Sequence, residues 1–78
     1  SLESDNENSN SLFNLGLCFY EEKNIGEAMK NYLKAIKSSP SNIQAINNLA
    51  LCFYELGNLE EAIKYYKISI SIKPDNPI

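Results

Sequence analysis

Apolar residues recur along this chain at helical spacing. Leu12, Leu15, Gly16 and Phe19 stand at i, i+3, i+4 and i+7, which is one face of a helix. Ala28, Tyr32, Ala35 and Ile36 make a second face, Ile46, Leu49, Ala50 and Phe53 a third, and Ala62, Tyr66, Ser69 and Ile70 a fourth. The breaks between them carry helix punctuation. Asn24-Ile25-Gly26-Glu27 and Asn58-Leu59-Glu60-Glu61 have the form of capping boxes, and Gly57 supplies a left-handed stop. Pro40-Ser41-Asn42 and Pro74-Asp75-Asn76 halt a helix with the proline ring and offer Asn as the next cap. The pattern predicts helices near 9–22, 26–38, 43–56 and 60–72, with an unstructured acidic tail over 1–8. Val and Thr are absent, which weakens any strand reading.

The four helices group into two copies of one unit. Leu15-Gly16-Leu17-Cys18-Phe19-Tyr20-Glu21 returns as Leu49-Ala50-Leu51-Cys52-Phe53-Tyr54-Glu55, an offset of 34 residues. Aligned at that offset, 8–44 and 42–78 are identical at 16 of 37 positions, too many for composition alone. The units run over 9–42 and 43–76, each a helix–turn–helix.

This spacing resembles the tetratricopeptide repeat family. The residues carrying the resemblance are Leu12, Leu15-Gly16, Phe19, Ala28, Tyr32, Ala35 and Pro40 in the first unit. In the second they are Ile46, Leu49-Ala50, Phe53, Gly57, Ala62, Tyr66 and Pro74. Small residues at Gly16, Ala50, Ala28 and Ala62 let paired helices approach closely, and Phe and Tyr fill the layer between them. Departures are minor: Leu12 or Ile46 where the family has Trp, Lys23 for the interhelix glycine, and Ser69 where the first unit has Ala35. The resemblance implies an all-α superhelix, or solenoid, of two antiparallel helix pairs. It also implies a concave groove, lined by the first helix of each unit, that binds peptides.

Composition narrows the chemistry. Seventy-eight residues without histidine and with two cysteines cannot build a His-containing zinc site, a cysteine-rich scaffold or a histidine-based triad. No metal, cofactor or catalytic constellation is expected. The chain is read as a non-enzymatic module. Seven lysines and no arginine against ten acids argue against nucleic acid as partner. No apolar run is long enough to span a membrane. The acidic start is unlike a signal peptide, and with two thiols the expected setting is intracellular, in the cytoplasm. Cys18 and Cys52 are expected as small buried filler.

The candidate groove is the face of each first helix opposite its core. It comprises Asn10, Asn14, Leu17 and Glu21, flanked by Phe13 and Tyr20, then Gln44, Asn48, Leu51 and Glu55, flanked by Asn47 and Tyr54. Each Asn amide has two donors and an acceptor, so Asn14 and Asn48 suit a peptide backbone whatever its sequence. The pair resembles the Asn ladders in repeats of the O-linked N-acetylglucosamine transferase family. Residues 1–22 and 41–57 contain no Lys or Arg. An acidic C-terminus would find no cationic clamp there, and a neutral or basic segment is the expected ligand. The lysines Lys30, Lys34 and Lys37 are read as a solvated outer face. Tyr65, Ile68 and Ile72 add an apolar stripe where the first unit has Asn31, Lys34 and Ser38. Repeat arrays need a polar terminal cap, so the stripe marks either a fragment of a longer array or self-association into a homo-oligomer. The alternatives to peptide capture are therefore a structural repeat that self-associates through its last helix, or repeats selecting substrates for a larger enzyme such as a glycosyltransferase.

Overall fold

The computed structural model describes residues 2–72, with side chains from residue 7 onward. Four helices follow one another: α1 Leu2–Glu21, α2 Ile25–Ser38, α3 Ile43–Glu55 and α4 Leu59–Ile72. No strand occurs among the described residues. α1 packs on α2, α3 on α4, and α2 joins the two pairs through α3. The all-α architecture of stacked helix pairs expected from the periodicity is the one observed. Pro74-Asp75-Asn76, read as the stop of the second unit, lies outside the described residues.

The largest boundary difference is at the start. α1 begins at Leu2, so the stretch expected as an unstructured tail is helical. Asn8 donates its amide to the Ser38 hydroxyl at 3.4 Å, and Ser9 donates to the Ala35 carbonyl at 2.8 Å. Both bonds fix α1 to the end of α2.

The two interhelix turns share one geometry. Asn24 N–H reaches Phe19 O at 2.8 Å and Lys23 N–H reaches Tyr20 O at 2.9 Å. Asn58 N–H to Phe53 O at 2.8 Å and Gly57 N–H to Tyr54 O at 3.0 Å repeat the arrangement. This is the Schellman stop, and it requires a left-handed residue. Gly57 supplies φ 85 at ordinary cost, whereas Lys23 is held at φ 67. A side chain at that φ costs about 1–2 kcal/mol, partly offset by the entropy glycine would lose. Lys23→Gly is therefore expected to stabilise the chain by roughly 0.5–1 kcal/mol. A rise of a few degrees in Tm checks it, and an unchanged Tm would show the turn unstrained.

The capping box expected at Asn24 is not formed. Asn24 makes no side-chain bond to the helix it precedes. Its backbone is fixed instead by the Schellman turn, and Glu27 pairs with Lys30 at 3.6 Å on the exposed surface. Asn42 does cap α3, accepting from Ala45 N–H at 3.1 Å. Its amide donates to Ser9 Oγ at 2.8 Å. Ser9, fully buried, thus accepts from the α3 cap and donates to the end of α2. One hydroxyl fastens three helices, a role that polarity alone did not reveal.

The core is asymmetric between units. Phe13, Ala28, Tyr32, Ala35, Ala45, Leu49 and Cys52 form one contiguous buried cluster spanning α1, α2 and α3. Ile46, Ala50 and Ala62 are buried as expected. Leu15, expected in the core, is 47% exposed, while its equivalent Leu49 is fully buried. Tyr66 and Ile70, also expected inside, are 38% and 62% exposed, while Tyr32 is fully buried and Ile36 half-buried. Cys18 is exposed where Cys52 is buried, so only one cysteine is core filler. The reason is common to all. α2 and α3 have neighbours on two sides, whereas α1 and α4 have them on one.

Candidate interaction face on the first helices

α1 and α3 are brought together at their C-terminal ends by a hydrogen bond from the Tyr20 hydroxyl to the Glu55 carboxylate. That bond, with the Glu55 charge, pushes the Tyr20 phenol up to about 12. Around it lies a cleft of about 380 Å³ lined by Tyr20, Glu21, Lys23, Ile25 and Glu55. At the other end of the same pair, Asn10 and Gln44 flank a polar depression with Ser9, Ser41 and Asn42. Among the described residues, the Tyr20–Glu55 bond ties this face at one end and the Asn42–Ser9 bond ties it at the other.

The predicted site residues divide by exposure. Asn10, Asn14, Glu21, Gln44, Tyr54 and Glu55 are exposed, and Leu17, Tyr20, Asn47, Asn48 and Leu51 are half-buried. Phe13 is not on this face. It is 9% exposed, and its ring lies 5.8 Å from that of Tyr32, inside the core. The buried stripe of α1 is Ser9, Phe13 and Gly16, rotated from the expected one because α2 covers α1 from a single side. Leu17 packs partly against the core cluster, which leaves only part of its side chain for a ligand.

The two asparagines differ. Asn48 donates its amide to the Gln44 carbonyl of its own helix at 2.8 Å, while Asn14 is exposed. The side-chain amide of Asn48 is thus pre-oriented, with its oxygen left over as acceptor. Electrostatically the face is neutral to acidic, as the lysine-free stretches imply, with one addition. Lys23 lies in the turn after α1 and reaches the cleft beside Glu21 and Glu55. The sequence placed Lys23 outside the groove because it counts residues along helices, not around their ends.

The stripe on α4 also shifts. Tyr65 stacks on Phe53, ring centres 5.6 Å apart, and is half-buried against α3. Ile68 and Ile72 remain 39% and 37% exposed. Among the described residues no group of three or more His, Cys, Asp or Glu is placed to hold a metal ion. No helix among them is long and apolar enough to cross a membrane.

Two family profiles match this arrangement. One, a TPR repeat, covers residues 16–57, more than half of the chain. The other, a tetratricopeptide repeat, covers residues 43–76. The chain belongs to the tetratricopeptide repeat family. A search of curated proteins finds no match to the chain. Tetratricopeptide repeats are protein-interaction modules, generally without catalysis, and typically bind proteins or peptides. In the tetratricopeptide fold, helix pairs are held by nearest-neighbour contacts, which accounts for the contrast between inner and outer helices here.

Proposed function

We propose that the chain is a non-enzymatic module that binds an extended peptide along the face shared by α1 and α3. The supporting observation is the bond from Tyr20 to Glu55, which sets the two first helices side by side. Asn10, Asn14 and Gln44, exposed, and Asn48, half-buried, offer amides for a peptide backbone along these two helices. Leu17, Leu51 and the exposed Tyr54 ring give apolar contact. Glu21 and Glu55 at the cleft favour a basic side chain over an acidic terminus. Lys23 at the same cleft offers a lone cation, and without a second it cannot clamp a carboxylate in the manner of a bidentate site. The free thiols of Cys18 and Cys52 fit a reducing, intracellular setting.

The experiment is selection of binding peptides from neutral, basic and acidic libraries, followed by anisotropy titration of the best. Asn14→Ala with Asn48→Ala is expected to weaken binding roughly tenfold, the loss of one or two hydrogen bonds. Thermal stability should change little, since one amide is exposed and the other bonds only its own helix. Unchanged affinity would remove the asparagines from the site. Selection of acidic peptides alone would overturn the charge reading.

A further inference from the structure

The 34-residue repeat makes each inner contact a template for what the outer faces can do. Inside the chain, α3 lies against α2, with Ala45, Leu49 and Cys52 fully buried and in one cluster with Tyr32. The equivalents of the α3 residues are Ser11, Leu15 and Cys18 on α1, and all three are exposed. On α2, Tyr32 is fully buried, and Ile25, Met29 and Ile36 are half-buried against the core. Their equivalents on α4 are Tyr66, Leu59, Ile63 and Ile70, exposed by 38%, 52%, 53% and 62%. The two outer helices, α1 and α4, thus carry the two halves of an interface that is already closed once between α2 and α3.

We propose that the α4 face of Leu59, Ile63, Tyr66 and Ile70 receives the α1 face of a second copy of this chain. The register is the one in which α3 lies on α2. Leu15 and Cys18 of the incoming copy take the places that Leu49 and Cys52 occupy within the chain. The polar link is repeated as well. Tyr20 donates to Glu55, 35 residues on. One repeat later the same step runs from Tyr54, 59% exposed, to Glu21 of the incoming copy, also exposed. The contact is heterologous, so every open assembly keeps one free face of each kind and can add further copies.

Sedimentation equilibrium of the 78-residue chain tests this with two variants, Leu15→Glu and Tyr66→Glu. Both sites are exposed, and circular dichroism confirms folding. If either variant fails to fold, Cys18→Glu and Ile70→Glu replace them. The wild type is expected to show an average mass rising with concentration without a plateau. Each variant alone should lose association, because one of its two faces is spoiled. Their equimolar mixture should regain it and stop at the dimer, through the one intact pair of faces. Association surviving in Leu15→Glu would mean α4 meets α4 in a symmetric dimer, and overturns the proposal. A mixture that stays monomeric, or a wild type that is monomeric throughout, overturns it too.

Discussion

Leu49→Ala is expected to cost about 2–5 kcal/mol, and Leu15→Ala, the same substitution one repeat earlier, well under 1 kcal/mol. Leu49 is fully buried and belongs to the cluster that joins α2 to α3. Removing its branched end deletes contacts on both sides and leaves a cavity between units. Leu15 is 47% exposed, so truncation opens no cavity, and water takes the vacated place. Domains hold about 0.05–0.15 kcal/mol per residue, or roughly 4–12 kcal/mol for a chain of this length. The first change can therefore unfold much of the population at room temperature. Urea unfolding of the two variants under conditions favouring the monomer checks the contrast. Equal losses would mean that α1 has a covered outer face in solution, and the difference between inner and outer helices would be wrong.

That contrast also marks what the sequence made legible. The offset of 34 and the small residues at helix crossings were sufficient to place four helices, most within a residue of their ends. Periodicity gives each helix an apolar face, and a repeat gives equivalent positions equivalent faces. It does not say which unit has a neighbour. Leu15 and Leu49, or Cys18 and Cys52, are identical in sequence and opposite in burial because the chain supplies α3 with a platform and α1 with none. Phe13 was misplaced for a related reason, since the side of α1 that is buried depends on where α2 lies. Ser9 was missed because its burial follows from bonds to Asn42 and Ala35, residues 33 and 26 positions away. No local signal announces such bonds. On the candidate face, the exposure of Asn10, Asn14 and Gln44 follows from helical geometry. The bond from Tyr20 to Glu55 does not, because it spans two units.

Gly16→Val should destabilise the chain by about 1–3 kcal/mol, despite the gain expected when a helix loses a glycine. A Cβ at Gly16 would stand 2.7 and 2.8 Å from two ring carbons of Tyr32 and 3.2 Å from the Ala28 carbonyl oxygen. The ring has nowhere to go. Tyr32 is fully buried, with Phe13 on one side and the α3 cluster on the other. Its hydroxyl finds no hydrogen-bond partner among the described residues, and burial pushes its pKa up to about 12. The ring is thus held by packing alone, and that packing depends on the missing Cβ. At the equivalent place in the second unit, Ala50 is accommodated because Tyr66 is 38% exposed and its ring can yield. The account is decided by a cycle of Gly16→Ala with Tyr32→Leu. In the wild-type background Gly16→Ala is expected to lower Tm. With Tyr32→Leu the ring contacts are gone and only the 3.2 Å contact to the Ala28 carbonyl remains, so the same change should cost markedly less or turn stabilising, towards the roughly 1 kcal/mol by which alanine exceeds glycine in a helix. An equal change in Tm in both backgrounds would show that Gly16 and Tyr32 are not coupled. The close approach of α1 to α2 would then rest on something other than the absent side chain.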